Sequence, residues 1–545
     1  MKIILHKNPA LVIFVRLGMA LVLAVGVLAG APAILVRAAG CVVSSTLDDG
    51  SAGTLRAAID DVSCDTITFD AGLAGATITL ASTLTLAHDV SIDGSALATQ
   101  VRISGGHRYE VLYVNSDVAA DLKGLIIFNG YNLVSKRGGG IYNAGKLTMT
   151  NSTVAGSHAG GKNDNPVRAG SNNPDAYGGG IYNDGVLTVM DSTFSENNAS
   201  YCGDAYGGAI YNASVLSVTD STFFGNFIQE CGTNNGGAIA NAGVLTVMGS
   251  TFSGNITDGG WFEGVSYGGG IYNTGTSTVA KSIFVDNTAA VIWNEGFGAG
   301  IYSTGVMTVT DSSFSGNHAD NSGGGIENNG KLEVANSTFS GNSAGPMFPV
   351  RGGGIENRGT LTVMNSTFSD NNTGDNWSDG TAGGGIDNSG NLTLLNSTFS
   401  GNSAGNYSKA VGGGIDNSGA MDFANIIIAN STGLHGLDCL STGTIGANTN
   451  NLVRDGSCSQ GGVNFKKGDP KLGKLADNGG PTQTLALLPG SPAINAGDDA
   501  TCAAAPVNNL DQRGVTRPSS LHCDIGAYEL VQVPKERARN GGFNT

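Results

Sequence analysis

Four acidic side chains recur at one place in this chain: Glu327, Glu356, Asp387 and Asp416 each follow an isoleucine, at steps of 29, 31 and 29 residues. Earlier members of the same series are Tyr142, Tyr182, Tyr211, Ala240, Tyr272 and Tyr302, so an aromatic column gives way to an acidic one. If repeats of this length stack, adjacent carboxylates about 4.8 Å apart repel by roughly 1 kcal/mol in water and more near a protein surface. A bound cation such as Ca²⁺ would relieve that repulsion, which makes the four acids candidate metal ligands. Arg351 and Arg358 lie close by and add basic groups, so Glu327, Glu356, Asp387, Arg351 and Arg358 are the residues any catalytic reading would use. The plainer alternative is solvated surface charge. Because neighbours alternate in direction along a strand, this column is expected to point outward.

The repeat has to position these groups. A glycine-rich run ending in isoleucine occurs ten times, at Ile141, Ile181, Ile210, Ile239, Ile271, Ile301, Ile326, Ile355, Ile386 and Ile415. A period near 30 residues, with short alternating runs and no helical periodicity, predicts an all-β chain: a right-handed, single-stranded parallel β-helix of about ten regular coils with irregular terminal coils. Two positions after the isoleucine stands Asn143, Asn183, Asn212, Asn241, Asn273, Asn328, Asn357, Asn388 or Asn417, with Ser303 as the exception. Thirteen positions after it stand Phe194, Phe223, Phe252, Phe284, Phe314, Phe339, Phe368 and Phe399, and those eight units place a further asparagine at position sixteen. Stacked phenylalanines should fill the interior. Stacked asparagines should hydrogen-bond to one another and to turn backbone, and can tolerate left-handed turn conformations.

Composition agrees with a repeat rather than a set of globular domains: 86 glycines, 13 prolines, 13 % charged and 40 % hydrophobic residues. Residues 1–40 hold Lys2, Lys7, Arg16 and Arg37 and no acid, and run apolar from Leu17 to Leu28. They read as a signal peptide, with a membrane anchor as the alternative. Without them the net charge moves from −16 to −20. That balance speaks against nucleic acid as a partner. The mature chain offers no second apolar stretch long enough to span a membrane, and it is expected to be secreted, extracellular or held at the cell surface, as a monomer.

The eight cysteines form four local pairs: Cys41 with Cys64, Cys202 with Cys231, Cys439 with Cys458, and Cys502 with Cys523. Cys202 and Cys231 each stand five residues before a repeat glycine, so stacking would bring their Cα atoms about 5 Å apart, within reach of a disulfide. Disulfides fit an exported protein.

The repeats resemble the GGA(I/L/V) and FxxN units of chlamydial-type polymorphic outer membrane proteins over residues 138–430. Thr54-Leu55-Arg56-Ala57-Ala58-Ile59 and Asp65-Thr66-Ile67-Thr68-Phe69-Asp70 resemble the CSLREA-type amino-terminal segment of secreted bacterial β-helix proteins, with Ala57 in place of that motif's Glu. Asp477 to Thr482, Leu488 to Ile494, Asp511-Gln512-Arg513-Gly514 and Cys523 to Glu529 resemble the choice-of-anchor Q module. The organisation implied is a signal at 1–40, an amino-terminal cap with irregular first coils at 41–137, the regular shaft at 138–430, a closing module at 431–530 and a polar tail at 531–545.

Segments joining one unit to the next vary in length and carry Trp261, Phe262, Trp293, Trp377, Tyr201, Tyr206 and Tyr407, along with Phe227, Tyr267, Phe297 and Phe348. Trp and Tyr on loops of a rigid scaffold are strong contact residues, which suggests a noncatalytic scaffold for adhesion or for binding glycan or a surface protein. These rings covering the shaft is the alternative. Polysaccharide lyases share this shaft and work on its outer face with Ca²⁺ and a basic side chain, so a lyase or glycoside hydrolase on the acidic column is the enzymatic alternative. A purely structural surface role is the third.

Overall fold

The computed structural model describes residues 41–161, 175–200, 203–229, 232–259, 264–290, 294–346, 350–374, 380–405, 410–433 and 438–531. The signal segment, the Cys202–Cys231 pair, and Trp261, Phe262, Trp293, Trp377, Tyr201, Phe348 and Tyr407 lie outside the described residues.

Short strands repeat in a fixed order and pair in parallel with their counterparts one coil away, which makes the chain a right-handed parallel β-helix. Three long sheets form the shaft. One has 13 strands and contains the repeat isoleucines, a second has 15 and contains the phenylalanines, and a third has 15 and contains the Leu-x-Val strands such as Val186–Met190. Pairing is in register, Ile181 with Ile210 and Phe223 with Phe252. Regular stacking begins before the first glycine-rich run, because Leu84–Leu86 and Leu112–Val114 pair ahead of Ile141–Asn143 in the isoleucine sheet.

The interior is built from columns. The eight phenylalanines from Phe194 to Phe399 are fully buried, with ring centroids 4.6 to 4.8 Å apart and nearly parallel planes. Asparagine columns close the corners. Asn255, for example, accepts from the Asn226 backbone N–H (3.1 Å) and side-chain amide (3.0 Å), and donates to the Phe223 carbonyl (3.0 Å) and the Asn287 side chain (2.9 Å). Asn255→Ala would leave those buried groups unpaired and is expected to cost about 2–3 kcal/mol, read as a lower urea midpoint at unchanged slope. The ladder asparagines do not themselves take left-handed backbone. That conformation falls to the columns ten and fifteen residues after the isoleucine, such as Asp220 and Asp286, where the chain turns between sheets.

Both ends carry added structure. Near the start, a short helix, Leu55–Asp60, is capped by Thr54 and buries Leu55 and Ile59 in the first coils, while Arg56 grips Asp48 at 2.7 Å. At the other end the chain leaves the axis and runs back along the outside of the phenylalanine sheet. Gln512 bonds Thr338 (2.9 Å) and Thr367 (2.6 Å), the Ala527 N–H bonds Thr398 (3.0 Å), and Asn425 bonds the Asp498 carbonyl (3.2 Å). Disulfides join Cys41–Cys64, Cys439–Cys458 and Cys502–Cys523, with Cα atoms 5.6, 5.8 and 6.7 Å apart.

Candidate functional site

The glycine run before each isoleucine reverses the chain. Gly207 has φ +67°, and a Cβ there would sit 2.1 Å from the Ile210 carbonyl oxygen, so only glycine makes this turn without strain. The reversal lays the residue four places before the isoleucine beside the residue one place after it. Two columns of side chains therefore run together along the outer face of the isoleucine sheet.

Over the first half of the shaft both columns are aromatic. Tyr113, Tyr142, Tyr182 and Tyr211 stack at 4.9, 4.9 and 5.3 Å, and Tyr272 stacks on Tyr302 at 5.6 Å. Beside them Tyr177 stacks on Tyr206 at 5.0 Å and Tyr267 on Phe297 at 5.4 Å. The columns also touch edge to face, Tyr177 on Tyr211 at 4.8 Å, and Arg137 lies over Tyr182 at 5.1 Å. Most of these rings are partly exposed; their phenols are hydrogen-bond donors at neutral pH, and burial raises those of Tyr142, Tyr211 and Tyr272 further above their ordinary pKa. Tyr206, Tyr267 and Phe297 are thus not in irregular loops, as the sequence suggested. They occupy short strands of a five-stranded sheet, Ala176–Tyr177 through Glu295–Phe297, and Phe227 occupies a strand of a nine-stranded one.

A cleft of about 700 Å³ opens where the tyrosine column begins, lined in part by Arg108, Glu110, Tyr113, Tyr131 and Tyr142. Burial pushes the Glu110 carboxyl up to about 8, against a lowering hydrogen bond with Asn132, so it carries a proton at neutral pH. Sequence reasoning missed it because the early coils lack the glycine-isoleucine signature.

The acidic half of the column corrects the expectation of solvated charge. Glu327, Glu356 and Asp387 are at most 1 % exposed and Asp416 is 9 % exposed. Ser322 and Arg351, four places before their isoleucines, help cover them. Arg358 sits between Glu327 (3.2 Å) and Glu356 (3.0 Å), Arg351 pairs with Asp387 (3.3 Å), and Ser322 donates to Glu327 (2.6 Å). Four carboxylates thus share two guanidiniums. Burial raises all four pKa values, Asp387 to about 7 and Asp416 to about 6, and the neighbouring Asp387 carboxylate pushes Glu356 further. One oxygen of Glu356 and one of Asp387 have no partner. Arg351 and Arg358 offset the carboxylate repulsion that the sequence reading assigned to a bound cation such as Ca²⁺. Among the described residues the donors that do come together are Cys41, Asp61 and Cys64, and both sulfurs are spent in a disulfide.

One hydrolase-like grouping appears outside this face. His318 Nδ1 meets the Ser343 hydroxyl at 2.8 Å and Nε2 meets Asp320 at 3.2 Å. Ser343 lies in a strand and its N–H already donates to the Asn317 carbonyl, so it cannot help form an oxyanion hole.

A family model described as the right handed beta helix region matches residues 238–432, and one described as the Chlamydia polymorphic membrane protein repeat matches residues 191–213. No curated protein matches the chain. The chain is therefore similar to right-handed β-helix regions over its central coils and to the chlamydial repeat over one of them.

Proposed function

We propose that this protein is a noncatalytic β-helix scaffold, secreted or displayed at a cell surface, that binds glycan or a surface protein through its outer aromatic face. The observation that carries this is the pair of adjoining aromatic columns, which leave large, rigid, partly exposed rings in a row and lead from an open cleft. Aromatic rings held by a scaffold contribute contact area at low entropic cost. Residues 1–40 serve as the export signal in this reading. The CSLREA-like and choice-of-anchor-like segments serve as the amino-terminal and closing modules. The catalytic alternative gains no support from the acidic column, where the carboxylates are covered and both arginines are engaged in ion pairs.

A glycan array and a cell-binding assay with the full chain test the proposal. Binding should appear in the parent protein and fall at least tenfold in Tyr142→Ala/Tyr177→Ala, with the β-sheet circular dichroism retained. Unchanged binding in that variant overturns the assignment of the face. Ca²⁺-dependent depolymerisation of acidic polysaccharide, lost in Glu356→Gln, would replace it with the lyase reading.

A further inference from the structure

Both aromatic columns miss a rung in the same coil. In the inner column Tyr211 pairs with Ala240 and Ala240 with Tyr272, and in the outer one Tyr206 pairs with Asn235 and Asn235 with Tyr267. Asn235 does not replace the lost ring, because it is buried and donates to the Ala205 and Thr233 carbonyls. The interruption leaves a cavity of about 210 Å³ lined by Tyr206, Tyr211, Ala240, Asn241, Ala242, Tyr272 and Thr274. Tyr206 closes its back, with its ring edge-on to Tyr272 at 6.5 Å.

We infer that this slot holds one uncharged hexopyranose ring, at the end of a glycan chain, between the faces of Tyr211 and Tyr272; the inference rests on the glycan-binding reading above. Two coil steps put the backbone strands that carry those walls about 9.6 Å apart, so the rings stand roughly two stacking distances from each other. A flat aromatic ring in van der Waals contact with one wall, at roughly 3.5–4 Å, stands too far from the other. A pyranose chair is thicker, with C–H bonds projecting from both faces, and reaches both walls at once. Its equatorial hydroxyls then point to the rim, where the Tyr211 and Tyr272 phenols, protonated at neutral pH, serve as donors. The volume suits a single ring, and Ala240 forms a floor with no polar atom on its side chain. The acidic chain, with a formal net charge of −16, disfavours an anionic sugar.

Saturation-transfer NMR on the full chain tests this, with the methyl pyranosides of glucose, galactose, mannose and N-acetylglucosamine, and with indole as an aromatic probe. At least one pyranoside should bind in the millimolar range. Ala240→Tyr, which restores the residue six sister coils carry, should fold as the parent does and weaken that binding at least tenfold, and Tyr272→Ala should weaken it likewise. Binding that survives Ala240→Tyr, or indole binding in place of sugar, overturns the slot. If array binding by the parent protein persists in Ala240→Tyr, only the slot falls. If neither array glycans nor pyranosides bind the parent, the glycan reading falls with it.

Discussion

Phe284→Ala should destabilise the shaft by about 4–5 kcal/mol, the upper part of the range for truncating a buried phenylalanine. Phe284 is fully buried at the middle of the eight-ring stack, between Phe252 and Phe314 at 4.7 Å on each side, so alanine removes two ring contacts as well as the buried area. The neighbours cannot collapse into the space, because each ring is held at the coil spacing by paired backbone on both sides. In a solenoid stability is a sum over coils and their interfaces, so the loss should be local. Urea unfolding should gain an early phase, and limited proteolysis should cut near this coil first. Phe284→Leu should cost about 1–2 kcal/mol, since most of the volume remains. A single unshifted transition in Phe284→Ala would contradict a load-sharing ring column.

The second large effect concerns charge. Arg358→Met removes the guanidinium shared by Glu327 and Glu356, and at pH 8 it should cost about 3 kcal/mol, the low end for breaking a buried pair because the arginine is 41 % exposed. At pH 5 the cost should be smaller, since burial raises both partner carboxyls and acid favours their neutral forms, which need no counter-ion. The sign follows from the raised carboxyls. Their stabilising contribution is full below the unfolded-state value, near 4, and is lost as pH rises through the folded values, about 6 for Asp416 and about 7 for Asp387. The parent protein should accordingly melt lower at pH 8 than at pH 5, and Glu356→Gln should flatten that slope. A parent protein more stable at pH 8, or an Arg358→Met deficit independent of pH, would rule the network out.

Much of this architecture could be read from residue spacing. Phe at position thirteen and Asn at positions two and sixteen each name a column, and their in-register pairing follows from the period. What covers the outer face was hidden. Counted forward from the isoleucine, Tyr206, Tyr267 and Phe297 fall among the joining segments, although each, like Tyr177, stands four places before its isoleucine. Seeing that column requires knowing that the glycine turn folds the preceding residue back over the following one. The burial of Glu356 and Asp387 is invisible for the same reason: strand alternation says only that they leave the core, not that another part of the chain lies on top of them. Glu110 has no repeat at all to mark it.

The returning carboxy-terminal segment, from Thr482 to Ala527, touches four successive coils from Asn336 to Asn425. A free stack of coils frays from either tip, one turn at a time. Here the last turns are lashed together from the side, so they must come loose jointly or not at all. Wear should therefore begin at the amino-terminal tip, and the molecule has a strong end and a weak one.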